Sequence, residues 1–138
     1  MIKTHEIDTG TRYGIAFRAE CNGSSCGRIE AHRKFSKVGG RVVYTVMRID
    51  VDPEHRRKGV ATKLYEAAAN EACRRRARLA STERNPGAHS IDFWKKQVAK
   101  GRAKAFPIRG ADEDRYTRYL LLDCPVMDLS GARRPRFK

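Results

Sequence analysis

Residues 41–62 constrain this chain more than any other stretch. A dense apolar run, a basic loop with one glycine and a helix-patterned segment follow one another without a spacer. Between Arg41 and Val51, seven of eleven residues are apolar: Val42, Val43, Tyr44, Val46, Met47, Ile49 and Val51. A run this continuous and this β-branched predicts a central strand covered on both faces. Pro53 ends it, because proline has no N–H to donate to a ladder. From 60 to about 77, Ala61, Leu64, Tyr65, Ala68 and Ala72 share one helical face, with Lys63, Asn70, Arg74 and Arg78 opposite.

The loop between strand and helix carries the chemistry. It reads Arg56-Arg57-Lys58-Gly59-Val60-Ala61-Thr62. Backbone N–H groups in the first turn of a helix have no intrahelical partner, and the macrodipole is positive there. A phosphate at that end is held by several amides at once. Gly59 lets the backbone come close, small Ala61 leaves the amides unshielded, and Arg56, Arg57 and Lys58 add charge-assisted contacts. The same composition also serves an ordinary strand-to-helix turn with a solvated basic loop.

Around this unit the pattern gives a hairpin from strands at 12–20 and 27–35, turned by Asn22-Gly23-Ser24-Ser25. A second turn at 36–40 leads into the central strand. After the helix come a short strand at 78–83, the turn Asn85-Pro86-Gly87, and a helix at 91–100 with Ser90 as N-cap. Ile91, Trp94 and Val98 form the apolar stripe of that helix, and Gly101 stands where it stops. Strands at 103–108 and 116–123 complete the order β-β-β-loop-α-β-α-β-β. This is a mixed α/β (α+β) fold, a mostly antiparallel sheet flanked by helices. Residues 1–130 read as a single domain and 131–138 as a basic tail.

The chain has 138 residues, enough to enclose one core. No apolar run reaches the ~18–20 residues of a membrane span, and the N-terminus lacks the apolar stretch of a signal peptide, so a cytoplasmic location is the expectation. Thirty basic residues against sixteen acidic give a formal charge of +14. Such a field draws polyanions, whether nucleic acid, anionic cofactors or acidic protein surfaces. Arg74-Arg75-Arg76 complement the C-terminal dipole of the first helix, but Arg133, Arg134 and Arg136 in the tail have no such role. Of the cysteines, Cys21, Cys26, Cys73 and Cys124, the first two have a spacing within the looser range of zinc sites, but no second close pair and no nearby histidine pair follows. Reduced thiols and no metal are expected.

The segment from Ile49 to Ala61 resembles motif A of the GNAT acyltransferase superfamily. That pattern is a strand ending hydrophobic-x-hydrophobic-x-Pro, then Arg/Gln-x-x-Gly-x-Gly/Ala. Here Ile49, Val51, Pro53, Arg56, Gly59 and Ala61 match it, with Leu64 where the helix packs back. Downstream, Asn85, Ala88, Phe93-Trp94 and Gly101 follow the outline of the same superfamily. The resemblance spans about residues 41–123. It implies acetyl-CoA as acyl donor, and a cofactor site comprising Ile49, Val51, Arg56, Arg57, Lys58, Gly59, Val60, Ala61, Thr62, Asn85 and Trp94. Ile49 and Val51 would offer strand backbone to the pantetheine arm, and the loop amides would hold the pyrophosphate. The reaction implied is N-acetyl transfer to a primary amine on a protein, an RNA-associated acceptor or a small molecule.

Two departures from the superfamily stand out. Where many members carry a tyrosine that protonates the leaving thiol, the aligned aromatic is Trp94, whose indole N–H is no acid near neutral pH. Packing is its simpler role. Asp50, Glu83 and His55 are the nearest candidates for a base, each with solvation as its plainer reading, so the sequence assigns no catalytic residue. The early hairpin also leaves no room for the two helices that usually follow the first strand. The N-terminal helical region is reduced, and the acceptor pocket is open or completed by a second subunit in a homodimer. A different class of function, a catalytically inactive GNAT-like scaffold that binds nucleic acid, accommodates the charge and Trp94 but gives no reason to keep the loop.

Overall fold

The computed structural model describes residues 2–36, 41–81, 88–106 and 118–121. In chain order these form β1 (Ile2–Glu6), β2 (Gly14–Cys21), β3 (Ser24–Ser36), β4 (Arg41–Val51), a 3-10 turn (Pro53–His55), α1 (Val60–Arg74), β5 (Arg78–Ala80), α2 (Ala88–Ala99), β6 (Ala103–Phe106) and β7 (Arg118–Leu121). The described strands build one sheet in the order β1-β2-β3-β4-β5-β7-β6. Every neighbouring pair is antiparallel except β4 and β5, which run parallel. A parallel pair needs a crossover, and α1 supplies it. The mixed, mostly antiparallel fold expected from the sequence is the fold observed.

The sequence pattern did not reveal β1. Only Ile2 is apolar in Ile-Lys-Thr-His-Glu, so no alternation betrays a strand. It lies at the sheet edge against β2, where charged side chains protect unpaired backbone from a second chain. The β2–β3 hairpin turns on Asn22 and Gly23, both left-handed at φ 51° and 86°. Twin positive φ values are what a two-residue hairpin turn demands, and Asn-Gly meets that demand. Just beyond the turn, β3 bulges, so that Gly27 pairs with Ala19 but Ser25 with Glu20. The extra residue is Cys26, which the bulge turns into the core beside Cys21. The two form a disulfide across a Cα separation of 5.8 Å. This corrects the expectation of reduced thiols, and no described cysteine is free.

α1 lies across one face of the sheet. Val60, Leu64, Tyr65, Ala68, Ala69 and Ala72 are buried against Ile15, Phe17, Ala19, Ile29, Ala31, Tyr44 and Val46. The alanines keep the helix surface low, so the helix settles close to the strands. Gly27 marks the tightest approach: a Cβ there would stand 2.9 Å from the Asp50 carbonyl and 3.2 Å from both Leu64 and Val60. The first turn of α1 is thereby seated on β3. The helix stops at Arg74, shorter than the pattern suggested, and Arg75 donates to the Arg12 and Gly14 carbonyls at 3.0 and 2.9 Å. Burial alone would lower the pKa of Arg75, but bonds to Tyr44 and Glu71 outweigh it and raise the pKa.

α2 begins at Ala88, so Ser90 lies inside the helix rather than capping it. Trp94 is its buried anchor, whereas Val98 is exposed and not part of the stripe. Gly101, at φ 74°, terminates it as expected, and Arg102 donates back to Gln97 at 2.9 Å. Among the described residues no helix is long and apolar enough to cross a membrane. The basic tail, Asn85 and Glu83 lie outside the described residues.

Candidate functional site

Among the described residues, the sheet opens between β4 and β5. Pairing runs only from Val43–Thr45 to Arg78–Ala80. Beyond Thr45, β4 continues to Val51 paired with β3, but among the described residues it has no partner on the β5 side. The cause is local. Glu30 pairs with Arg48 while Ala31 pairs with Val46, so Met47 is an extra residue in β4. A bulge bends its strand and sharpens the twist, and this one falls where the parallel pairing ends. On the far wall, Ser81 commits β5 to β7. Its N–H donates to the Tyr119 carbonyl, and its hydroxyl accepts from the Tyr119 N–H, each at 2.9 Å. The strands on either side of the opening are thus held by other partners.

Ile49 and Val51, expected to offer backbone here, line the open stretch of β4. The Val51 carbonyl already accepts from Arg56 Nε at 3.2 Å. Arg56 therefore ties the loop back to the strand end, while Arg57 and Lys58 stay exposed with no ion-pair partner among the described residues. Arg57 at φ 63° and Gly59 at φ 86° are both left-handed. Left-handed residues set among ordinary ones turn successive N–H groups into a shared concavity, a recurrent way to build an anion site. Gly59 also caps α1, whose first intrahelical bond runs from the Lys63 N–H to the Gly59 carbonyl at 3.1 Å. The amides of Val60, Ala61 and Thr62 are left without an intrahelical acceptor. No side chain caps them and no acidic residue occupies the first turn. Uncapped amides, a positive dipole end and two exposed cations thus follow one another in a single short stretch of chain.

Thr45 is a feature the sequence reading passed over. It sits where the β4–β5 pairing stops, it is 1% exposed, and its Oγ1 has no hydrogen-bond partner among the described residues. A buried hydroxyl without a partner costs about 1–3 kcal/mol. The signal was one hydroxyl within Val-Val-Tyr-Thr-Val.

The other sequence candidates disperse. Trp94 is fully buried, stacked on Tyr119 at 5.8 Å and edge-on to Tyr65 and Phe93 at 5.6 and 5.4 Å. Its side chain is part of the core. Asp50 is exposed and bound to Arg48, whose pKa that bond raises. His55 lies 4.0 Å from Glu54, its one ion-pair partner among the described residues.

The sequence profile described as the acetyltransferase (GNAT) family matches residues 3–98. No curated protein sequence matches the chain. Among solved structures, the IAA acetyltransferase from Bacillus cereus ATCC 14579 superposes with a TM-score of 0.63 at 15% identity, covering 88% of this chain and 99% of that one. The aminoglycoside N-acetyltransferase AAC(6')-Iy, in complex with a coenzyme A bisubstrate analogue, gives 0.58 at 17% identity over 73% of this chain and 90% of its own. The aminoglycoside 6'-N-acetyltransferase AAC(6')-Ih from Acinetobacter baumannii gives 0.58 at 16%, covering 81% and 97%. At these identities the likeness is one of fold.

Proposed function

We propose that this chain, which belongs to the acetyltransferase (GNAT) family, transfers an acetyl group from acetyl-CoA to a primary amine. The uncapped amides of Val60, Ala61 and Thr62 above a left-handed Gly59 carry this reading. They would hold the pyrophosphate, with Arg57 and Lys58 neutralising its charge. The pantetheine arm would then lie along the unpaired side of β4, past Ile49, toward the closed end at Thr45. There the amine lone pair attacks the thioester carbonyl. A C–N bond forms, the C–S bond breaks, the amine proton leaves to water, and the thiolate takes a proton. With Trp94 in the core, no side chain is assigned as acid or base. Holding the two reactants together, which can supply much of the barrier reduction, is the contribution this site offers.

Net charge bears on the acceptor. A formal +14 repels polycations such as aminoglycosides, so the acceptor we favour is an amine on a larger, more acidic molecule such as a protein. A cytoplasmic setting goes with this reading, where an acyl-CoA donor is available. The test is a screen for free thiol release from acetyl-CoA, with peptides bearing α-amines or lysines beside an aminoglycoside. Acceptor-dependent release is expected, fastest with an acidic peptide. Saturable CoA binding without release from any acceptor would contradict transfer. Thr45→Val belongs in the same screen. It should leave the melting temperature unchanged or raise it, since an unpaired hydroxyl is removed, and it should leave turnover near the parent's, because a hydroxyl this buried does not reach a substrate.

A further inference from the structure

At the other end of α1 from Gly59, roughly 22 Å away by helix rise, lies an open groove of about 610 Å³. It is lined by Arg12, Arg33, Val42, Tyr44, Arg75 and Arg76. The four arginines are not equivalent. Arg75 is committed to the fold, bonded to Glu71 at 2.9 Å, to two backbone carbonyls, and close to Glu6 at 3.8 Å. Arg12, Arg33 and Arg76 are exposed and meet no carboxylate among the described residues. Two of them flank the half-exposed Tyr13 ring, with guanidinium carbons 5.3 and 5.8 Å from its centre. Arg33 is placed there by its backbone, whose N–H donates to the Tyr13 carbonyl at 2.8 Å.

The charges around this groove are segregated. On the other side of Arg75, Glu6 and Asp8 line a separate hollow. The acids therefore sit beyond Arg75, and the free cations face the groove. The C-terminus of α1 would by itself repel an anion, so the three arginines must supply the attraction. Cation–π contact with Tyr13 restrains the guanidiniums of Arg12 and Arg33 without neutralising them, which lowers the entropy lost when they bind. The pyrophosphate loop uses none of these residues.

From this arrangement we infer that the groove is a second anion site, which binds the phosphodiester backbone of a single-stranded nucleic acid. Three exposed guanidiniums lining one groove give charge complementarity to a phosphodiester backbone, and a flexible single strand can follow a groove of this size. This site stands independently of the acyl-transfer reading.

The experiment measures anisotropy of a labelled single-stranded RNA oligomer at two salt concentrations, near 0.05 M and 0.15 M. A protein of this charge binds any polyanion to some degree, so the comparison must hold net charge fixed. The groove variant Arg12→Ala/Arg33→Ala/Arg76→Ala is set against Lys96→Ala/Lys100→Ala/Arg102→Ala, which removes the same charge elsewhere. The groove variant should bind at least about tenfold more weakly than the control. Its log–log salt slope should fall by about 2, for three phosphate contacts at ~0.7 each. CoA titration and thermal unfolding should be the same for both. Equal losses in the two variants would overturn the site. A loss of polyglutamate binding in the groove variant, relative to the control, as large as the loss of RNA binding would also overturn it, because the groove would then serve acidic protein equally.

Discussion

Gly59→Glu should bind coenzyme A at least about a hundredfold more weakly than the parent while remaining folded. The fold survives because a Cβ at this position meets nothing within 4 Å. The strain is local: a side chain at φ 86° costs about 1–2 kcal/mol. The binding loss has a separate origin. A carboxylate beside the amides of Val60, Ala61 and Thr62 takes the place of the pyrophosphate charge and repels it. Losing two hydrogen bonds to a charged group, at about 1.5–3 kcal/mol each, already exceeds a hundredfold. Gly59→Ala separates the effects, since it carries the strain without the charge and should retain most of the affinity. Calorimetric titration of both variants, with melting curves, decides the matter. A glutamate variant that binds like the parent would place the pyrophosphate elsewhere.

Trp94→Ala should have the largest effect on stability of any single change, about 3–5 kcal/mol. The side chain is 0% exposed and touches the rings of Phe93, Tyr65 and Tyr119, drawn from α2, α1 and β7. Its loss leaves a cavity where three elements meet. Trp94→Phe keeps part of that packing and should keep turnover close to the parent's once corrected for the folded fraction. Urea unfolding and the thiol-release assay measure the two quantities separately. A folded phenylalanine variant slower by more than about a hundredfold would give Trp94 a chemical role that its burial argues against.

The legibility of this chain follows from which features are local. The β4 boundaries and the loop into α1 were readable because a β-branched run, Pro53 and Gly59 act through their own backbone preferences. The face of α1 was readable from 3.6-residue periodicity, down to Leu64, Tyr65, Ala68 and Ala72. β1 was not, because an edge strand is held by its neighbour's hydrogen bonds and not by its own apolar pattern. The disulfide was missed because spacing alone does not reveal that a bulge swings Cys26 toward Cys21. Compartment arguments about thiols say nothing about such a contact. The opening between β4 and β5 depends on where pairing stops, and Thr45 gains its meaning only from that point. Trp94 shows the converse: an aligned position suggested a cofactor contact, and tertiary packing put it in the core.

The central claim is that the loop from Arg56 to Thr62 binds coenzyme A through backbone amides. Calorimetric titration of CoA into the unmodified protein tests it most directly, supported by melting curves with and without ligand. One-site saturable binding is expected. Near a hundredfold excess over the dissociation constant, mass action contributes about 2.7 kcal/mol. For a domain of this size that is a rise of roughly 10 °C in melting temperature. Binding should also weaken only mildly with salt, because amides aimed at one pyrophosphate contribute alongside the free cations. No heat and no thermal shift at millimolar CoA, from protein with a cooperative melting transition, would contradict the account.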